Sequence, residues 1–165
     1  MRKPTAADAE VLLRLYEIRR EPELRRARKW FLTEFRPGSW ADIKSRYLSH
    51  SDEDRWFRMT VSYWEMVGTL IAHGVLHPEL YFDHTGEHVV TWDKCKSWIS
   101  EARADLRPTY LYRLEAMVEA HLEYRKRTSA EYLARKAGTS ANCKAKGAGA
   151  AKPSRAVKQP AGARR

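Results

Sequence analysis

The sequence predicts an all-α protein, on three observations. Apolar residues recur at helical spacing through most of residues 1–135. Three segments pair a hydroxyl residue with an aspartate three positions on, each ahead of an apolar run: Thr5 with Asp8, Ser39 with Asp42, and Ser51 with Asp54. That pairing suits a helix start, because hydroxyl and carboxylate accept hydrogen bonds from first-turn N–H groups that have no partner within the helix. The longest β-branched run, Val89-Val90-Thr91, is too short to carry a sheet. Six or seven helices are expected, packed around residues 55–75.

The first helix follows Thr5, carries Val11, Leu12, Leu15, Tyr16 and Ile18, and ends near Arg20. Pro22 disfavours helical geometry at Glu21 and suits the first turn of a second helix, which bears Leu24, Ala27, Trp30, Phe31, Leu32 and Phe35 and stops at Pro37-Gly38. Ser39 opens a short helix with Trp40, Ile43, Tyr47 and Leu48. Ser51 opens the central one, in which Trp56, Tyr63, Val67, Leu70 and Ile71 are widened by Phe57, Met59, Trp64 and Met66 until little polar surface remains. A helix so apolar is wrapped by others. Gly74 ends it, Pro78 starts a short helix closed by Gly86, and Thr91 caps a helix bearing Trp92, Cys95, Trp98, Ile99 and Ala102. Pro108 begins the last long helix, with the stripe Leu111, Leu114, Val118 and Leu122 continuing towards Tyr132 and Leu133.

After Arg135 the composition turns to Ala, Gly, Lys, Pro and Ser, and residues 136–165 read as a disordered tail with too little apolar surface to offset the entropy of ordering. The formal charge of +10 belongs to this tail: Lys136, Lys144, Lys146, Lys152, Arg155, Lys158, Arg164 and Arg165 face no acid there. Residues 1–135 are left with 23 basic and 21 acidic side chains, so the body is nearly neutral. A basic tail attracts nucleic acid or another polyanion by releasing counter-ions. It has no aromatic residue to stack on bases, so base readout is not expected. Cys95 and Cys143 form no CxxC and no disulfide framework. With no signal-type apolar core at the N-terminus and a central helix too short and too charged to span a bilayer, a cytoplasmic protein is expected.

Glu65 stands alone in the apolar central helix and must be exposed, paired or protonated. Glu115 and Arg103 lie at comparable positions on the later helices, and the three form a candidate buried polar network. The structural reading is favoured over a general acid–base pair, because no nucleophile, phosphate loop or metal motif accompanies them. On that reading Glu65→Ala costs roughly 3 kcal/mol. His73, His77, His84 and His88 are interleaved with Glu79, Asp83, Glu87 and Asp93, residue types that ligate zinc or iron. Gly74, Pro78 and Gly86 interrupt the segment and HExxH is absent, so a loop of solvated histidines is expected and no metal. GxSxG, GxGxxG and GxxxxGK[ST] are also absent, and no cofactor is expected. Cys95 between Lys94 and Lys96 reads as a packed helical cysteine, and Trp30, Trp40, Trp92 and Trp98 as core.

The residues Trp64-Glu65, Gly74-Val75-Leu76, Gly86, Trp92, Arg103 and Tyr112 with Glu115 resemble the pattern of an uncharacterised, mostly bacterial family of all-helical domains of unknown function, over residues 63–119. The resemblance implies the helical fold and brings no activity; the histidines and the basic tail lie outside its pattern. The expected function is therefore a non-enzymatic helical module that binds a protein partner, its tail adding non-specific attraction to nucleic acid. The alternatives are a hydrolase-like enzyme using Glu65 and Glu115, with or without one of the four clustered histidines, and a helix-turn-helix DNA-binding protein, which the near-neutral body disfavours.

Overall fold

A computed structural model describes residues 2–48 and 50–148, and its secondary structure among these residues is helical throughout. The elements are α1 (Ala6–Arg20), α2 (Pro22–Thr33), α3 (Trp40–Arg46), α4 (Asp52–Ala72), α5 (Pro78–His84), α6 (Glu87–Asp93), α7 (Ile99–Asp105) and α8 (Tyr112–Ala148). The described chain divides into one compact unit over residues 1–125 and a second from Lys126 onward.

The three expected helix starts are present. Thr5 and Asp8 make a complete capping box. Ser39 and Ser51 accept from the Asp42 and Asp54 amides, while those aspartates reach one residue further back, to the Gly38 and His50 amides. At the end of α4, Gly74 has φ of 69°, and the bonds Gly74 N–H to Ile71 O and Val75 N–H to Leu70 O form a Schellman motif.

One continuous core fills the first unit. Its centre is aromatic: Phe31 stacks on Phe35 at 4.6 Å, and Trp98 lies 5.8 Å from Trp40 and 5.9 Å from Phe57. Trp30, Trp40, Trp92 and Trp98 are all buried within it. Helix α4 runs through this core and buries Phe57, Val61, Tyr63, Trp64 and Val67. It is not wrapped on every side, because Arg55, Arg58, Ser62 and Met66 lie exposed.

Three elements differ from expectation. The helix expected from Thr91 to Ala102 is split: Val89-Val90-Thr91 belongs to α6, and a run of turns joins α6 to α7. In that run Cys95 N–H bonds Trp92 O and Trp98 N–H bonds Cys95 O. The same two carbonyls also accept from Lys96 and Ile99, so the winding mixes i→i+3 and i→i+4 bonds, and Trp92, Cys95 and Trp98, spaced three apart, are all buried. The last helix starts at Tyr112 instead of Pro108, because Leu111 takes a left-handed φ of 55°. It is continuous to Ala148. Alanine and lysine are strong helix formers, and extending an existing helix avoids the cost of nucleation. The rest of the expected tail, with Lys152, Arg155, Lys158, Arg164 and Arg165, lies outside the described residues.

A candidate functional site of buried charge

Leu111 occupies the position before α8 where a Ser, Thr, Asp or Asn would ordinarily cap the helix, and it has no side-chain acceptor. Glu65 supplies the cap from α4. Its Oε2 accepts the Leu114 N–H at 2.8 Å and its Oε1 the Arg113 N–H at 3.3 Å. The carboxylate also meets the positive end of the helix dipole. One turn along α4, Gly68 allows the contact: a Cβ there would stand 2.4 Å from the Arg113 carbonyl oxygen. Arg103 of α7 completes the arrangement. It donates to the Tyr110 carbonyl at 3.0 Å and to Glu115 Oε2 at 2.7 Å, and its guanidinium lies 5.9 Å from the Trp92 ring centre.

Glu65, Arg103 and Glu115 thus meet around one helix start, but not as a triad and not buried as expected: all three are partly exposed. Arg103 pairs with Glu115, while Glu65 is taken up by backbone amides. Such a cap is worth about 1–2 kcal/mol, below the 3 kcal/mol expected for a carboxylate opposite a buried cation. Glu65→Ala is therefore expected to lower stability by about 1–2 kcal/mol, read from urea denaturation midpoints. A loss under about 0.5 kcal/mol would mean that water replaces the carboxylate at these amides.

A second polar cluster escapes the sequence reading. Glu87 of α6 accepts from both Arg19 of α1, at 2.7 Å, and Arg28 of α2, which grips both carboxylate oxygens. The side chains are largely buried, and Arg28 also donates to the Arg19 carbonyl. Burial alone would raise the Glu87 pKa, but the hydrogen bonds and charge of Arg28, joined by those of Arg19, outweigh it and hold the group below its ordinary range. Arg19 further donates to the Thr85 hydroxyl and lies 5.8 Å from the Trp64 ring centre. Beside it, burial pushes the Tyr63 hydroxyl up to about 12, and that hydroxyl donates to the Leu15 carbonyl.

The expected loop of solvated histidines is corrected here. His73 and His84 are exposed, but His77 and His88 are buried. His77 caps α5 through the Leu80 N–H and bonds the Arg2 carbonyl at 2.6 Å. His88 bonds His121 of α8, nitrogen to nitrogen at 2.7 Å, and Arg125 donates to the far side of His121 at 3.1 Å. Burial lowers the pKa of His88 to about 3 and of His121 to about 4. The sequence did carry a signal for both. His88 precedes Thr91, Trp92 and Cys95 at helical spacing, and His121 continues the stripe of Leu114 and Val118. Among the described residues, no three His, Cys, Asp or Glu come together as a metal would need. Cys95 is fully buried and its pKa is pushed up by that burial.

The fold and these clusters define a class, an all-helical domain whose interior charges join helices distant in sequence. The chain belongs to the family described as domain of unknown function DUF4760, whose model matches residues 4–121. Comparison with curated proteins and with solved structures gave no match. The family match is wider than the resemblance over residues 63–119, and it ends at His121, ahead of the second unit.

Proposed function

We propose that this protein is a non-catalytic, cytoplasmic interaction module that attaches to a polyanion, nucleic acid foremost, through the basic C-terminal part of α8. The observation that carries the reading is the charge of that helical stretch. Between Lys126 and Ala148 stand Lys126, Arg127, Arg135, Lys136, Lys144 and Lys146, with Glu131 as the sole acid. At 3.6 residues per turn Lys126, Arg127, Arg135 and Lys136 fall on different sides of the helix axis, so this part of α8 has no single recognition face. That favours phosphate attraction over base readout. Exposed Tyr132, with Arg135 and Lys136 each within 6 Å of its ring centre, adds an aromatic surface next to the charge.

Two facts weigh against the hydrolase alternative: Glu65 is engaged by backbone amides and Glu115 by Arg103. The protein-binding reading keeps its own observation, an open hollow of about 540 Å³ along α1 lined by Leu13, Tyr16, Glu17, Arg20 and Glu21. No helix among the described residues is long and apolar enough to cross a membrane.

The test is binding of labelled duplex DNA and RNA to the full chain at a series of salt concentrations. A variant carrying Lys126→Gln, Arg127→Gln, Arg135→Gln and Lys136→Gln is measured beside it. Binding indifferent to sequence is expected, and the variant should reduce the slope of log K against log salt by about 3 to 4, near 0.9 per lost phosphate contact. Equal slopes for the two proteins would overturn the proposal and direct attention to the α1 hollow.

A further inference from the structure

We propose that the chain of hydrogen bonds from Arg125 through His121 to His88 is an acid-operated latch, which holds the His121 turn of α8 against α5 and α6 only while both imidazoles are neutral.

The atoms able to donate fix the direction of the chain. Arg125 Nε carries a hydrogen and a guanidinium accepts none, so His121 Nε2, 3.1 Å away, must be the acceptor. The proton of a neutral His121 then sits on Nδ1, which donates to His88 Nε2 at 2.7 Å. His88 Nε2 is therefore bare and its own proton lies on Nδ1, a buried atom with no hydrogen-bond partner. Every link has one direction, fixed by the arginine at its head.

This leaves no place for another proton. On His121 Nε2 it would point at the Arg125 N–H. On His88 Nε2 it would point at the His121 Nδ1–H. Either position breaks a link, and both rings are at most 1% exposed, so water cannot take over in the closed state. The surroundings add to the difficulty. Besides Arg125 on the same helix, charge reaches the two rings from Arg19 of α1 and Asp83 of α5, with the uncharged Tyr81 of α5 and Trp64 of α4 against His88; Arg28 of α2 and Glu87 of α6 act on Tyr81 beside them. Glu87 is already bound by two arginines, and Asp83 accepts from the Tyr124 hydroxyl at 2.5 Å. Around the two rings, two guanidiniums stand against one engaged carboxylate.

What the latch holds is equally plain. His121 stacks on Phe82 with ring centres 4.6 Å apart and planes 7° from parallel, and Arg125 lies over Gly86, where a Cβ would meet its Nη2 at 2.2 Å. Release would uncover Phe82 while leaving the α2–α4 core intact. The sign follows from the depressed pKa values of the two histidines, about 3 and about 4 when closed against an ordinary 6.5 when open. Closure is at full strength above pH 6.5 and weakens as the pH falls from there towards 4, because only the open form takes up protons.

The experiment is amide hydrogen exchange on the full chain from pH 7.5 to pH 4.5, corrected for the intrinsic pH dependence of exchange. Protection of residues 117–124 and 82–90 is expected to fall roughly tenfold or more across that range while α2 and the middle of α4 keep theirs. A double variant, His88→Leu with His121→Leu, should lose the transition. Should that variant not fold, nitrogen-15 spectra of the histidines in the unmodified protein decide: both must carry the proton on Nδ1 at pH 7.5. Protonation of either ring on Nε2, or loss of protection everywhere at once, would overturn the latch.

Discussion

Glu87→Ala is expected to destabilise the protein by about 4 kcal/mol, the largest single effect of any side chain considered. The carboxylate is the shared counter-ion of Arg19 and Arg28, whose side chains are only 20% and 13% exposed. Removing it leaves two like charges facing each other in a poorly solvated place, and the cost comes mainly from those stranded charges. Because domains of this size are stable by only about 5–15 kcal/mol, urea midpoints should shift well outside error. Glu87→Gln keeps the volume and one acceptor and should cost less than the alanine. A loss below about 1 kcal/mol for the alanine variant would show that both guanidiniums swing into water. The pH dependence separates this cluster from the histidines. The Glu87 pKa is depressed on folding, so its contribution is full above the ordinary carboxylate pKa near 4.5 and is lost as the pH falls below it. The histidine contribution begins to fail two pH units higher, near 6.5.

Gly68→Ala comes next, with an expected loss of about 2–3 kcal/mol. Within a helix this change normally stabilises by up to about 1 kcal/mol, so the expected sign is opposite to the propensity. The added methyl would lie 2.4 Å from the Arg113 carbonyl oxygen and 2.7 Å from its carbon. Both are backbone atoms that no rotamer change can move, so α4 and the start of α8 must separate and Glu65 loses its grip on the Arg113 and Leu114 amides. Gly38→Ala provides the control, since a Cβ there meets nothing within 4 Å. Its midpoint should stay within about 0.5 kcal/mol of the parent. A Gly68 variant as stable as the parent would mean that the two helices are not in contact at this point.

Much of the fold could be read from local sequence because its signals are local. Thr5, Ser39 and Ser51 act on amides three residues away, Gly74 supplies its own positive φ, and Pro22 and Pro78 set the first turns of α2 and α5. The failures have an equally definite cause. Pro108 is a sound helix-start signal, yet α8 begins four residues later because Glu65, 48 residues away in sequence, holds its first free amides. Trp92, Cys95 and Trp98 fit an uninterrupted α-helical stripe as well as the mixed i→i+3 and i→i+4 turns they adopt, and nothing in the local spacing distinguishes the two.

The candidate sites divide in the same way. Arg103 and Glu115 meet as a reading of their helices suggests, being 12 residues apart on consecutive elements. The partnership of Glu87 with Arg19 and Arg28 spans 68 and 59 residues, and that of His88 with His121 spans 33. The apolar spacing around both histidines marks them as interior, but nothing local says what each would find there.

By itself, then, the sequence determined that this protein is helical, where most of its helices start and stop, that Trp30, Trp40, Trp92 and Trp98 are core, and that its charge gathers at the C-terminal end. Those properties depend on backbone hydrogen bonding and side-chain period within a few residues. Only the tertiary structure decided which buried charges pair, which backbone amides Glu65 caps and which histidines leave water. A polar group inside a protein can pair only with what packing brings within reach, and that neighbour is set by the three-dimensional arrangement of helices.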